Sequence, residues 1–209
     1  MKIAVITFWK DISVLIPKLG GYDAIFSCEQ TAVNLLAEGI RLEAIISDFD
    51  SISQDGPTLE QIQAETQVMV LPEEKDETDG HALLQYAKQK YPGAKLDVFN
   101  QFDTRVDHAL AHLSFFYTYD NMTLYTPKTK IKMVKAGNYD LKQSSAYRYI
   151  SFICLTQIEG LSIIGLKYEL RNQIVQPFSD LLVSNEYIAG MSAKLIFEKG
   201  ELLIIYSND

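Results

Sequence analysis

Cysteine is almost missing from this 209-residue sequence, which has only Cys28 and Cys154. So far apart, they form neither a disulfide framework nor a metal-ligand spacing. A reduced compartment is the simplest setting. Long apolar runs are missing too, since none approaches the ~20 residues of a membrane span. The first ten residues hold a short apolar run, but Thr7 and Trp9-Lys10-Asp11 break it too early for a signal segment. Nor is there a basic excess: 19 Lys and Arg stand against 27 Asp and Glu, a net charge of −8. That balance argues against a nucleic-acid partner, which needs a basic face. There is no 20–50-residue repeat and no low-complexity tract. G-x-S-x-G, Walker A, G-x-G-x-x-G after the first strand and a Cys–His signature are all absent. The expectation is a soluble, cytoplasmic protein with no membrane or nucleic-acid partner.

What is present is enough for a packed core. A 47% hydrophobic and 11% aromatic composition excludes a disordered chain. The charge is uneven. Residues 1–126 carry 9 basic and 19 acidic groups, net −10, while residues 127–209 carry 10 and 8, net +2. Within Asp48–Asp79 stand ten acids and one base, Lys75.

Residues 1–126 alternate β-rich runs with helical spacings. Strands are expected at Lys2–Phe8, Asp23–Cys28, Leu42–Ser47, Gln67–Leu71, Lys95–Asn100 and Met122–Tyr125. Helices are expected at Thr31–Glu38, Thr78–Lys90 and Asp107–Tyr117. This alternation predicts an α/β domain with a mainly parallel, Rossmann-like sheet. Residues 127–209 read instead as short strands at Lys130–Lys135, Tyr147–Leu155, Leu161–Gly165, Leu181–Val183, Met191–Phe197 and Leu202–Tyr206. Turn signals at Gly137-Asn138, Gly160, Asn172 and Lys199-Gly200 complete the pattern of an all-β sandwich domain.

Three polar clusters each follow a predicted parallel strand, where open α/β sheets bind ligands. In Ser47-Asp48-Phe49-Asp50-Ser51, the two Asp side chains leave an extended segment on one side, which suits Mg²⁺. An acidic turn capped by Ser51 accounts for the same residues. In Glu73–Asp79, Asp76 or Thr78 can cap the following helix, and Asp79 suits its dipole. Lys75 can meet a phosphate there, and ordinary capping beside a solvated acidic face is the alternative. In Asp103–His108, Arg105 can grip phosphate oxygens while Asp107 caps a helix and orients the Arg, or the two form a local salt bridge. His108 and His112 share a helix face, but lack the intervening Glu and third ligand of a zinc site. Packing or hydrogen bonding is their expected role.

The order D-F-D-S, K-D-x-T-D and R-x-D-H, followed by Gly165-Leu166-Lys167-Tyr168-Glu169-Leu170 and Ser184-Asn185-Glu186, resembles the thiamine pyrophosphokinase family. The resemblance spans about residue 23 to the end. It implies an α/β catalytic, nucleotide-binding domain over 1–126 and a β-sandwich thiamine-binding and dimerisation domain over 127–209. It implies a homodimer that transfers pyrophosphate from ATP to the thiamine hydroxyl and releases AMP. By the same resemblance Asp48, Asp50 and Asp79 hold Mg²⁺ with Asp76 beside them. Ser51, Lys75, Thr78, Arg105 and Asp107 lie by the nucleotide, and Ser184 and Asn185 shape the thiamine or dimer region. The chain departs from the family pattern at Glu29-Gln30-Thr31, Ser47, His81, Asp103-Thr104 and His112. Two other readings stand beside this one. One is a non-catalytic relative that binds a nucleotide or thiamine compound. The other is a different Mg²⁺-dependent phosphotransferase or phosphohydrolase, although haloacid-dehalogenase-type enzymes carry D-x-D after the first strand rather than the third.

Overall fold

The computed structural model of the chain describes residues 1–47, 59–72, 78–102 and 106–209. These residues form two units, Met1–Leu124 and Tyr125–Asp209. In the first, strands β1 (Lys2–Phe8), β2 (Ala24–Ser27), β3 (Ala44–Ser47), β4 (Gln67–Val70), β5 (Lys95–Asn100) and β6 (Met122–Tyr125) lie in the order β6-β5-β1-β2-β3-β4. The pairs β1–β2, β1–β5, β2–β3 and β3–β4 are parallel. Helices α1 (Ile12–Leu19), α2 (Glu29–Ala37), α3 (Leu59–Glu65), α4 (Asp79–Lys90) and α5 (Val106–Thr118) connect them. The central β1 explains its own composition: Ile3, Ala4, Val5 and Ile6 are all fully buried, so the strand reads as a continuous apolar run rather than an alternation.

The strand order creates a switch point. From β1 the chain steps outward through β2, β3 and β4, then returns to lay β5 along the other edge of β1. Parallel pairing brings the carboxyl ends of β1 to β5 to one edge of the sheet. A crevice opens there between β1 and β5, because the chain leaves those two strands in opposite directions.

Two helices escape the sequence reading. In α1, Ile12, Val14, Ile16 and Pro17 all argue against a helix. Asp11 nevertheless caps it by accepting from the Ser13 N–H at 3.1 Å, and Leu15 and Leu19, four apart, are buried. α3 lies inside the acidic window and buries only Ile62 among its hydrophobic side chains described, too weak a period to read.

The second unit is antiparallel throughout. It contains β7 (Thr129–Leu141), β8 (Tyr149–Cys154), β9 (Ile158–Ile164), β10 (Leu170–Val175), β11 (Asn185–Glu186) and β12 (Ala193–Ser207). β12 pairs with β7 along its length, with β9 through its first half and with β8 through its second. One core gathers Ile150, Phe152 and Cys154 from β8 with Leu195, Phe197, Leu202 and Ile204 from β12. The period of two holds in β8. In β12 the core positions are odd-numbered up to Phe197 and even-numbered from Leu202, and the pairing is irregular in between, where four steps on β12 face two on β7 between Phe197 and Glu201. Gly200 sits in that bulge at φ +103°, with a built Cβ 2.5 Å from the Gln157 carbonyl.

That bulge corrects the sequence reading. The strands expected at Met191–Phe197 and Leu202–Tyr206 are parts of one strand, Ala193–Ser207, and Lys199-Gly200 is an irregularity within it rather than a turn. Gly137-Asn138 likewise lies inside β7, Gly160 inside β9 and Asn172 inside β10. Leu181–Val183 is not a strand. Ser179 accepts from the Leu181 N–H and opens a 3₁₀ turn over Asp180–Leu182. Glycine and asparagine supply positive φ equally to a turn and to a bulge, so composition alone does not separate them.

Candidate active site

At the carboxyl ends of β1, β2 and β5 lies a cleft of ≈ 270 Å³. Its lining includes Thr7 from the end of β1, Glu29 from the start of α2, Asp79 and Gly80 from the start of α4, and Asn100 and His112 from β5 and α5. It coincides with the switch point.

Each side chain has a local reason for its place. The β1–β5 register pairs Ile6 with Phe99 and Phe8 with Asn100, leaving Thr7 as the extra residue of a bulge. Thr78 is the N-cap of α4 and accepts from the His81 N–H at 3.2 Å. Asp79 is therefore the first helical residue, where the dipole favours an anion. It is nonetheless 7% exposed. Gly80 makes this approach possible. A Cβ at that position would stand 2.9 Å from Thr7 Cγ2 and 3.2 Å from His112 Nε2. Glu29 opens α2 at φ +50°, a left-handed conformation that costs a non-glycine residue about 1–3 kcal/mol. Such strain at a cleft residue is a pointer to function.

A buried polar network floors the cleft. Asn100 Nδ2 lies 2.6 Å from Thr7 Oγ1 and 3.1 Å from His112 Nε2, and Thr7 Oγ1 donates to the Phe99 carbonyl at 3.4 Å. His112 Nδ1 lies 2.7 Å from the His108 carbonyl. Burial holds the His112 imidazole below its ordinary pKa, against the opposing pull of that carbonyl, and the charges of His108 and His81 lower it further. His81 stacks on Phe115, and His112 meets the same ring edge-on. All three histidines of the chain thus gather around α4 and α5.

The fit to a divalent cation rests on Asp79. A carboxylate so deeply buried in a cleft is a hard oxygen donor, and Mg²⁺ takes one or two carboxylates and completes its shell with water and substrate phosphate. The donor set present fits. Among the described residues no group of three or more metal-ligating side chains forms. Asp48, Asp50, Ser51, Lys75, Asp76 and Arg105 lie outside the described residues.

In the second unit, the two motifs singled out in the sequence meet. Asn185 is buried, and its Oδ1 accepts from the N–H groups of Tyr168 and Glu186 at 3.0 and 2.9 Å. Its Nδ2 donates to the Tyr168 carbonyl at 2.8 Å. Lys167 pairs with Glu186 at 2.6 Å, and Glu169 accepts from the Gly165 N–H at 2.8 Å. Gly165 is at φ +76°, with a built Cβ 2.0 Å from the Ser192 carbonyl oxygen, a place no other residue can take. Ser184, at φ +57°, donates its N–H to Ser151 Oγ at 2.9 Å.

The comparisons agree with both halves of this geometry. The family model described as Thiamin pyrophosphokinase, catalytic domain, matches residues 16–131, and that described as Thiamin pyrophosphokinase, vitamin B1 binding domain, matches residues 138–202. The chain belongs to the thiamin pyrophosphokinase family. A thiamine pyrophosphokinase of Bacillus subtilis is 33% identical over 205 residues, which cover 93% of this chain and 94% of the relative. A crystal structure of thiamine pyrophosphokinase from B. subtilis superposes with a TM-score of 0.86 at 28% identity, covering 100% of both chains. One of a thiamin pyrophosphokinase family protein from Enterococcus faecalis gives 0.84 at 25%, also covering 100% of both.

Of the site residues expected from the thiamin pyrophosphokinase pattern, Thr78 and Asp79 line the cleft. Asp107 is exposed in the first turn of α5. Ser184 and Asn185 lie in the other unit, in the paired motifs. Thr7, Glu29, Gly80 and Asn100 were not foreseen as cleft residues. A bulge gives no sequence signal of its own, and Asn100 ends an apolar strand as any solvated residue does. His112, for which packing or hydrogen bonding is expected, does both.

Proposed function

We propose that the chain is a Mg²⁺-dependent thiamine pyrophosphokinase, transferring a pyrophosphoryl group from ATP to the hydroxyl of thiamine and releasing AMP. The observation that carries this reading is the buried Asp79 at the start of α4, lining a cleft at the switch point of a parallel sheet, in a chain matched along both units by the family's catalytic and vitamin B1 binding domains. The Rossmann-like description, with the nucleotide at that switch point, belongs to this proposal. So do the domain roles, catalytic over 1–126 and thiamine-binding with dimerisation over 127–209.

Asp48, Asp50 and Asp79 would hold the cation, with Asp76 beside them. Support comes from chain order: the segments carrying Asp48–Ser51, Lys75–Asp76 and Arg105 follow β3, β4 and β5, whose carboxyl ends share the cleft's edge of the sheet. When bound, Mg²⁺ supplies neutralisation of phosphate charge as the leaving AMP departs. The protein's part is positioning, because transfer between oxygens asks little covalent chemistry of it. Lys75, Ser51, Thr78, Arg105 and Asp107 would hold the nucleotide in line.

Thiamine would bind near the joined Gly165–Leu170 and Ser184–Glu186 motifs, which Asn185 holds in shape. A homodimer is part of the same reading. The second unit exposes the large apolar side chains of Phe178 at 73%, Leu181 at 65% and Met191 at 53%, which burial against a second copy would remove from water.

The test is an incubation with ATP, Mg²⁺ and thiamine, following AMP and thiamine diphosphate. Equimolar formation of the two is expected. Thiamine-independent release of inorganic phosphate would make the chain a hydrolase, and ligand binding without turnover would make it a binding protein.

A further inference from the structure

The Asn100 carboxamide has a fixed orientation, which follows from the hydrogen bonds around it. A carbonyl only accepts, so His112 Nδ1, 2.7 Å from the His108 oxygen, carries a proton. Burial disfavours a second proton on the ring, so Nε2 is left as an acceptor. Asn100 must then present its amide nitrogen to Nε2. The other amide hydrogen goes to Thr7 Oγ1, whose own proton goes to the Phe99 carbonyl. Both Asn100 N–H groups are therefore used. Its Oδ1 has no hydrogen bond among the described residues, although Asn100 is only 6% exposed and lines the cleft. With both N–H groups occupied, the oxygen is the polar atom of this side chain left to accept from a ligand in the cleft that Asn100 lines.

We propose that Asn100 is a ligand-contacting residue, held by His112 and Thr7 so that its Oδ1 accepts a hydrogen bond from an O–H group of the magnesium nucleotide. Phosphate oxygens are acceptors and cannot fill this role. The O–H belongs either to a ribose hydroxyl or to a water of the hydrated cation. The second source lies close at hand, because Gly80, next to Asp79, packs against His112 Nε2. His112 is a positioning residue that acts through Asn100. The inference rests on the nucleotide-binding reading of the cleft.

The test measures the dissociation constant of Mg²⁺·α,β-methylene-ATP by calorimetry, with circular dichroism and thermal melting as checks of folding. Asn100→Ala is expected to weaken binding about tenfold, the range of one neutral hydrogen bond. His112→Leu, which frees the amide to rotate, is expected to weaken it similarly. His112→Gln, whose Oε1 replaces the Nε2 acceptor, is expected to restore wild-type affinity, as filling of space alone would not. Should Asn100→Ala fail to fold, the Leu and Gln variants at 112 carry the test. If a ribose hydroxyl is the donor, its 2′- or 3′-deoxy analogue weakens binding to the wild type and costs nothing further in Asn100→Ala. If a cation water is the donor, Mn²⁺ alone, followed by electron paramagnetic resonance, binds Asn100→Ala more weakly. Tight wild-type binding that Asn100→Ala leaves unchanged, or no difference between Leu and Gln at 112, overturns the inference. A wild type that binds no magnesium nucleotide overturns instead the reading beneath it.

Discussion

Asn185 holds Tyr168 from both sides: its Oδ1 accepts the Tyr168 N–H at 3.0 Å, and its Nδ2 donates to the Tyr168 carbonyl at 2.8 Å. Residues 17 apart in sequence are thereby tied backbone to side chain, and the isolated bridge between Leu166 and Tyr187 runs alongside. The two short motifs of the second unit are one structural piece. Their conjunction in the sequence therefore carries more information than either alone.

Replacing Asn185 by Ala would strip partners from the Tyr168 N–H and carbonyl together. A loss of about 2 kcal/mol is expected, since each hydrogen bond lost costs about 0.5–1.5 kcal/mol. Urea denaturation of the variant measures it. Lys167→Ala is the control in the same piece. The Lys167–Glu186 contact is short, but the Lys side chain is 51% exposed, so its loss is expected to cost under about 1 kcal/mol. A larger loss for Lys167→Ala than for Asn185→Ala would refute this ranking.

Asp79→Asn keeps the shape of the side chain and removes its charge. Turnover is expected to fall by at least about 10²-fold, the scale of losing one electrostatic contact at a reacting centre. The metal-free protein is expected to melt close to the wild type. The helix-dipole contribution of about 0.3–1 kcal/mol is lost, while the desolvation of a buried charge is relieved. The rise in melting temperature on adding Mg²⁺ is expected to shrink, because binding to the native state is what raises it. Full activity in this variant would remove Asp79 from the cation site.

How far the sequence could be read follows from which physics is local. The parallel run of strands was legible because a strand buried on both faces, such as Ile3–Ile6, needs a continuous apolar run. Capping was legible too: Thr78 precedes its helix by one residue and caps it. The cleft floor was not legible. Thr7 reaches Asn100 through a bulge, and Asn100 meets His112 across 12 residues, so neither contact has a periodic signature. The strands of the second unit were only partly legible, because Gly200 and Asn172 bend strands where their residue types equally mark turns.

Gly80→Ala separates activity from stability. Within a helix the change gains up to about 1 kcal/mol in propensity. The new Cβ, 2.9 Å from Thr7 Cγ2 and 3.2 Å from His112 Nε2, forces both side chains to shift by a few tenths of an ångström. The two effects oppose each other, so the melting temperature is expected to move little. The cleft floor moves regardless, and kcat/KM is expected to fall about tenfold, since misplacement near 1 Å can cost about 10²-fold. Steady-state kinetics beside a thermal melt checks both halves. A variant that is fully active would mean that Thr7 and His112 yield without consequence.

His112 gives the stability a pH dependence of known sign. Burial lowers its pKa in the folded protein, while in the unfolded chain it titrates near 6.5. Around the ring stand Asn100, Phe102, Phe115, Thr7 and Gly80, with His81 and His108 as the titrating neighbours. As pH falls, the unfolded state takes up the proton first. The contribution is therefore intact above about 6.5 and is lost as pH falls from there through the lowered folded value, below which it is flat. Denaturation at pH 7.5, 6.5 and 5.5 is expected to show a decline in the wild type that His112→Gln reduces. The carboxylates add a further loss only at lower pH, near their own values of about 4. An identical slope in the two proteins between pH 7.5 and 5.5 would mean that His112 titrates in the folded protein as it does in the unfolded chain. A wild type that gains stability relative to His112→Gln as pH falls would mean that the ring is charged when folded, with the Asn100 amide turned to offer it the oxygen.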